Sequence, residues 1–142
     1  MIEVVNRQRR RELDPAGWEK YTARALKSIG VKGRGVTIAF VSDRRMRELN
    51  RNYRGKRGTT DVLSFPTGEN EFGLTDDAAT LGDVVISVER AEKQAAENGL
   101  TFKNEIEQLI LHGLLHLRGH DHEIDGGEMN ALELRLRRRL GI

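Results

Sequence analysis

The hydrophobic positions along the chain switch between a spacing typical of strands and a spacing typical of helices, and this predicts the order of its elements. Ile2 and Val4 indicate a short first strand. Pro15 opens an amphipathic helix that stops at Gly30, since proline suits a helix start and glycine suits its end. Further segments rich in β-branched residues predict strands at residues 36–41, 61–65 and 82–87.

The longest apolar stretch predicts a central helix that begins at Thr101, where neighbouring polar residues offer capping groups. Ile and Leu cover so much of its circumference that we expect it to be buried on most sides. The other predicted helices run from Asp43, as N-cap, to about Tyr53, from Ser87 or Val88 to Asn98-Gly99, and from residue 128 to residue 140.

These elements predict one domain over residues 1–142, of α+β class with an α/β-like arrangement, in which helices cover a mixed sheet of about four strands. The strands before and after the second helix are expected to pair in parallel through a right-handed crossover. Pro66 suits an edge strand, because a missing N–H is tolerated there. Residues 67–80 are acidic and rich in turn formers, so we expect a surface excursion.

Composition excludes several classes of site. The sequence has no cysteine, so disulfides, a thiolate nucleophile and a Cys-based zinc finger are excluded, and a metal must use imidazole or oxygen ligands. The first residues, MIEVVNRQRRRELD, contain no apolar signal segment, and no run is long enough to cross a bilayer. We therefore expect a soluble, cytoplasmic protein.

The net charge of +2 conceals a strong asymmetry. Residues 1–60 contain 16 Lys or Arg against 6 Asp or Glu, whereas residues 61–142 contain 8 against 16. Of the 24 cations, 18 are Arg, whose planar guanidinium binds phosphate through two parallel hydrogen bonds and stacks on bases. Solvated charge runs are common on protein surfaces, but concentration of Arg in one half favours a polyanionic partner.

All four histidines lie within one stretch of eleven residues. His112 and His116 stand one helical turn apart on the same face, so their imidazoles can converge on one ion. Gly119 can take the left-handed conformation that ends a helix and brings His122 back over its last turn. Three imidazoles leave a fourth position open, as in catalytic zinc sites. The spacing predicts a metal site, and zinc is the simplest ion for it.

The same spacing occurs in metzincin proteases, so a peptidase is an alternative. Those enzymes carry a glutamate, the general base, directly after the first histidine, whereas this chain has Gly113 there. A ligand frame without that carboxylate suits a reaction in which a metal and a cation stabilise charge on an oxyanion. Phosphodiester hydrolysis fits, with the basic half of the chain holding the substrate.

The chain resembles the YbeY family in four motifs: NYRGK at residues 52–56, TDVLSFP at residues 60–66, LGDVVIS at residues 81–87 and HGLLHLRGHDH at residues 112–122. The flanks agree in length and element order. The resemblance implies a metal-dependent, single-strand-specific endoribonuclease that acts in maturation of the 3′ end of small-subunit ribosomal RNA and in ribosome quality control. It also implies partners: ribosomal RNA and the small ribosomal subunit, with a ribosomal protein or a ribosome-associated GTPase.

Carried over position by position, the resemblance implies zinc ligands His112, His116 and His122, in agreement with the spacing. It further implies that Arg54 handles RNA or stabilises the transition state at phosphorus. The alternative for Arg54 is an ordinary solvated loop charge.

Two further motif residues match the family with less defined roles. Asp121 is expected to orient a ligand imidazole, and His120 to donate a proton or to cap the helix. We expect Asp61 and Asp83 to be structural, with Asp61 tying its loop to the sheet.

A non-catalytic role is a further alternative. In that case the metal only holds the helix end, and the basic face binds ribosomal RNA or a ribosomal protein during assembly. The histidine spacing agrees with either role.

Overall fold

Strands and helices alternate along the chain in the computed structural model, which describes residues 1–66, 80–119 and 127–142. The elements of these ranges are β1 (Ile2–Arg7), α1 (Pro15–Ser28), β2 (Gly35–Val41), α2 (Asp43–Arg54), β3 (Val62–Pro66), β4 (Thr80–Ser87), α3 (Val88–Asn98), α4 (Phe102–Leu117) and α5 (Glu128–Leu140). The predicted α+β class is confirmed. The predicted surface excursion falls almost wholly in residues 67–79, which lie outside the described residues.

The strands form a mixed sheet in the order β1-β2-β4-β3. β2 pairs in parallel with both β1 and β4, whereas β3 pairs with β4 antiparallel. The prediction that the strands on either side of α2 pair in parallel is therefore wrong. β2 and β4 are buried along their whole length and take the two central positions, which leaves β1 and β3 at the edges. Pro66 ends the edge strand β3, as predicted.

Helices cover both faces of the sheet. α1 and α4 pack on one face over a large core that includes Trp18, Phe40 and Ile110, and α3 and α5 extend this layer. α2 packs on the other face over a smaller core that includes Met46 and Val85. α4 is buried on most sides, as predicted. No helix of the described ranges is both long and apolar enough to span a membrane.

Local signals set the helix starts largely as predicted, with one correction. Thr101 caps α4, because its hydroxyl accepts a hydrogen bond of 3.0 Å from the backbone N–H of Asn104. Ser42, not Asp43, caps α2 by accepting from the N–H of Arg45 at 3.2 Å. Asp43 is instead the first helical residue, where its negative charge suits the helix N-terminus.

Strand β4 contains one buried carboxyl group, that of Asp83. Burial raises the pKa of Asp83 to about 6; the Thr37 side chain opposes this shift, and the negative charge of Glu3 adds to it. Asp83 is oriented away from the histidines, on strand positions that face the α2 layer. This position agrees with the expected structural role.

α4 approaches the sheet most closely at Gly113. A Cβ at this position would lie 2.6 Å from Cγ1 of Val84 and 3.2 Å from Oγ of Ser64. The Ser64 hydroxyl donates a hydrogen bond of 3.0 Å to the Gly113 carbonyl, so the helix is also tied to the edge strand. The lack of a side chain therefore lets the C-terminal half of α4 lie against β3 and β4.

Gly113→Ala should destabilise the protein by about 1–2 kcal/mol. Alanine favours a helix by up to about 1 kcal/mol over glycine, but overpacking against the fully buried Val84 costs about 1–3 kcal/mol. Urea unfolding followed by circular dichroism measures the difference. The matched control is Gly17→Ala in α1, where the nearest atoms belong to the exposed Asp14 side chain, which can rotate away. The control should be neutral or stabilising, and equal effects at both positions would contradict the packing argument.

Candidate active site

A groove of about 640 Å³ lies between the C-terminal half of α4, the edge strand β3 and the end of α2. Because α4 and α2 cover opposite faces of the sheet, the two layers meet at this edge. The described residues that line the groove are Arg54, Thr60, Asp61, Val62, Leu63, Ser64, Pro66, His112, His116 and Gly119.

Two of the predicted ligands face each other in the groove wall. The Nε2 atoms of His112 and His116 are 3.0 Å apart, and their rings are inclined at 61°. Both side chains are partly exposed. Gly119 follows with a φ of +105°, in the left-handed region expected for it. The structure thus brings His112 and His116 together as the spacing predicts, and their role as metal ligands stays a prediction.

A buried carboxylate from α5 fixes the orientation of His112. Oε1 of Glu133 lies 2.7 Å from Nδ1 of His112, and Arg137 donates to the other carboxylate oxygen. Burial acts to raise the pKa of Glu133, but the hydrogen bond from His112, the charge of His112 and the contact with Arg137 outweigh it, so the pKa is lowered. Glu133 is therefore ionised at neutral pH.

The ionised Glu133 determines which nitrogens of the histidine pair carry protons. A carboxylate can only accept, so Nδ1 of His112 holds a proton and donates it. In the neutral form of His112, the form that metal ligation requires, this proton is the only N–H of the ring, so Nε2 presents a lone pair to the groove. The 3.0 Å contact is then an N–H of His116 donating to that lone pair.

His112 also borders a second cavity, of about 280 Å³. Asp61, Glu105 and Arg137 line this cavity with it and form a second polar cluster. Burial and the negative charge of Asp61 raise the pKa of Glu105, and Arg137 opposes them. With its amide nitrogen turned toward the two carboxylates, Gln94 donates to Glu105 at 3.2 Å and to Asp61 at 3.0 Å. This bridge ties the start of β3 to α3 and α4, in agreement with the structural role expected of Asp61.

Arg54 reaches the same groove from the opposite layer. It is the last residue of α2, and its side chain is exposed. The helix ends there because Gly55 takes a φ of +64°, and its N–H bonds back to the Arg51 carbonyl. The structure therefore places Arg54 in the same groove as the histidine pair, and its role in the reaction stays a prediction.

Three predicted site residues, His120, Asp121 and His122, lie outside the described residues. Within the described ranges, no three His, Asp or Glu side chains group closely enough to hold a metal ion. The predicted site needs His122 to complete its three ligands, so its third ligand stays a prediction.

Sequence reasoning missed the roles of Glu133 and Arg137 behind the histidine pair. A signal was present, because Glu133 lies three residues before Leu136 and seven before Leu140, on the apolar side of α5. A carboxylate at a core position of a helix indicates a buried polar partner. The identity of that partner, 21 residues away, does not follow from spacing.

Comparison with known proteins agrees with these features. The sequence profile of the family Endoribonuclease YbeY matches residues 3–141. A protein named Endoribonuclease YbeY from Aquifex aeolicus is 42% identical over 125 residues, covering 88% of this chain and 81% of that protein. Another of the same name, from Solibacter usitatus, is 44% identical over 124 residues, covering 87% of this chain and 78% of that protein.

The fold has also been observed in a solved structure. A Thermotoga maritima protein whose structure was determined in solution aligns with a TM-score of 0.61 at 27% identity. The alignment covers 99% of this chain and 89% of that protein. The resemblance stated from the motifs is confirmed: the chain belongs to the Endoribonuclease YbeY family.

Proposed function

We propose that the chain, as one domain over residues 1–142, is a zinc-dependent endoribonuclease specific for single-stranded RNA. The relatives' shared name supplies RNA as the substrate class. The observation that carries the proposal is the convergence of two imidazole Nε2 atoms in a groove that Arg54 also lines. We place its activity in the cytoplasm, in maturation of the small-subunit ribosomal RNA 3′ end and in ribosome quality control. The partners are the small ribosomal subunit and a ribosomal protein or ribosome-associated GTPase.

The nitrogen donors of the groove fit zinc. Zinc binds imidazole nitrogens at about 2.0–2.1 Å, which puts two nitrogens of a tetrahedral site roughly 3.3 Å apart, close to the 3.0 Å between His112 and His116. In the tautomer of His116 that carries its proton on Nδ1, both Nε2 lone pairs are free, and His122 would supply the third ligand. A bound zinc ion would act as a Lewis acid toward a phosphate oxygen and lower the pKa of a water molecule.

The protein's own residues divide the remaining work. Glu133 holds His112 in the tautomer and orientation that ligation needs. Arg54 binds the scissile phosphate and balances the charge that develops at phosphorus, because a guanidinium matches phosphate oxygens with two parallel hydrogen bonds. Asp121 orients a second ligand imidazole, and His120 donates a proton or caps the helix.

The packing of Gly113 favours this reaction over peptide hydrolysis. The position that holds the general base in metzincins faces the sheet here, and even a Cβ would meet Val84 at 2.6 Å. A glutamate does not fit in that space, so a base for peptide hydrolysis would have to come from elsewhere.

His116→Ala should abolish cleavage of single-stranded ribosomal RNA fragments by the zinc-loaded protein. Wild type and variant, both shown to be folded by circular dichroism, are incubated with the RNA, and fragments are separated on denaturing gels. Equal cleavage by both would identify a contaminating nuclease, and metal-dependent casein cleavage without RNA cleavage would favour a peptidase. Fragments ending in a cyclic 2′,3′-phosphate would show that the RNA 2′-hydroxyl attacks phosphorus.

Arg54→Gln should lower kcat by about 10²–10³-fold while leaving zinc content unchanged, because it removes a charge-assisted donor to the transition state and no metal contact. Arg54→Lys should recover only part of the rate, since it restores the charge without the planar pair of donors. Single-turnover cleavage at saturating protein measures the effect. A raised KM with an unchanged kcat would make Arg54 a binding residue only, and unchanged cleavage would make it an ordinary solvated charge.

Glu133→Gln should weaken zinc binding by at least about tenfold. The amide can still accept from Nδ1 of His112, but it lacks the negative charge that makes Nε2 a stronger ligand. Competition with a chromophoric chelator measures the affinity independently of RNA cleavage. The matched control is Glu107→Gln, a buried glutamate of α4 whose pKa is raised by burial and which lines a cavity remote from the histidines. Equal zinc affinity in wild type and Glu133→Gln would disprove the orienting role.

A further inference from the structure

One side of α2 carries a row of arginines that ends at the groove. Arg44, Arg47, Arg51 and Arg54 are spaced at i, i+3, i+7 and i+10, and all four are exposed. With 3.6 residues per turn, they fall within about 80° of the helix circumference. At 1.5 Å per residue, this arginine row is about 15 Å long.

Little of the charge of the arginine row is neutralised by neighbouring carboxylates. Arg47 pairs with Asp43 at 3.2 Å, and its side chain remains 64% exposed. Among the described residues, Arg44, Arg51 and Arg54 have no ion pair. The other acidic residue of α2 is Glu48, which pairs with Arg45 at 2.9 Å and lies about 40° around the helix from Arg44, at the edge of the row. The row therefore keeps a net positive charge, since three of its four arginines have no ion pair among the described residues.

The loop after α2 extends the same surface. The Asn50 side chain donates 3.2 Å to the Gly58 carbonyl, and the Thr59 hydroxyl donates to Asp43, so the loop folds back along α2 toward its first turn. The loop carries two further exposed cations, Lys56 and Arg57. It then continues into Thr60, which lines the groove. The positive surface is thus continuous with the site.

An exposed aromatic ring stands beside the end of the row. Tyr53 is 47% exposed, and it meets Phe65 of the edge strand in a T-shaped contact with the ring centroids 5.4 Å apart. The remaining ring surface is free to stack on a base. Cations that follow a backbone, with an aromatic ring beside them, are the usual means of binding single strands without sequence preference.

We propose that the arginine row binds the phosphate backbone of single-stranded RNA and leads it into the groove. This inference rests on the proposed function for the identity of the polyanion. The strand passes along α2 from Arg44 to Arg54, and Tyr53 stacks on a base next to the scissile phosphate. RNA long enough to cover both groove and row gains affinity from Arg44 and Arg51, whereas a fragment that fills the groove alone does not.

The test compares Arg44→Gln/Arg51→Gln with a control that removes the same charge elsewhere. Arg135→Gln/Arg138→Gln is matched, because both arginines are exposed on one side of α5, in the other helix layer. Fluorescence anisotropy with full-length protein measures binding of a 12-nucleotide and a 4-nucleotide single strand over a salt series, and gels confirm that the RNA stays intact. Circular dichroism confirms folding.

We expect the row variant to bind the 12-nucleotide RNA about 10- to 30-fold more weakly at 0.1 M salt than wild type. The slope of log affinity against log salt should fall by about 1.4, since each phosphate contact to a single strand contributes about 0.7. The control variant should keep the wild-type slope, and the 4-nucleotide RNA should bind all three proteins alike. Equal slopes for row and control variants would overturn the proposal.

Other outcomes separate this inference from the proposed function. If wild type cleaves RNA and the row variant binds the 12-nucleotide RNA as tightly as wild type, RNA binding by the arginine row is refuted. The proposed nuclease activity is then unaffected. If RNA binding depends on the row but wild type does not cleave RNA, the proposed nuclease activity is refuted. The inference that the arginine row binds RNA is then unaffected. Equal losses against a 12-base-pair duplex would overturn the single-strand assignment, and equal losses against polyglutamate would replace RNA with an acidic protein partner.

Discussion

The contact between α4 and the sheet at Gly113 is the constraint on which the groove depends. Because position 113 has no side chain, the helix comes within hydrogen-bonding reach of Ser64 on the edge strand. That contact fixes the rotation of α4, and the rotation turns the two histidines one turn apart toward the groove instead of toward the core. A glycine that keeps a peptidase base out of this position thus also positions the predicted metal ligands.

Buried polar groups of α5 hold His112 in its orientation, through the ring nitrogen that does not contact His116. Burying the Glu133 carboxylate is costly, and its hydrogen bond to His112 together with Arg137 offsets that cost. A second set joins Glu105, Gln94 and Asp61 across three elements. Buried polar groups that bond to one another allow few alternative arrangements, so the imidazoles are held in place before any ligand arrives.

Local patterns predicted the elements well and their assembly only in part. The start of α4 follows from the capping residue Thr101, and the edge position of Pro66 follows from its missing N–H. Both are properties of a few adjacent residues. The order of the strands is decided by burial across the whole sheet, so the pairing predicted around α2 was wrong. Glu133 was missed for the same reason, since its contact with His112 joins two helices. The arginine row needs only the bounds of α2 to be recognised.

The groove takes its histidines from one helix layer and Arg54 from the other. The complete site therefore requires both layers to be folded. α2 covers its face of the sheet alone among the described helices, over the smaller core, so it is the layer expected to open first under mild heat or denaturant. Such opening removes Arg54 from the groove and leaves the two proposed metal ligands of α4, with Glu133 of α5 behind them, in place. A preparation can therefore contain a full complement of metal and still be partly inactive, so metal content overstates the number of working molecules.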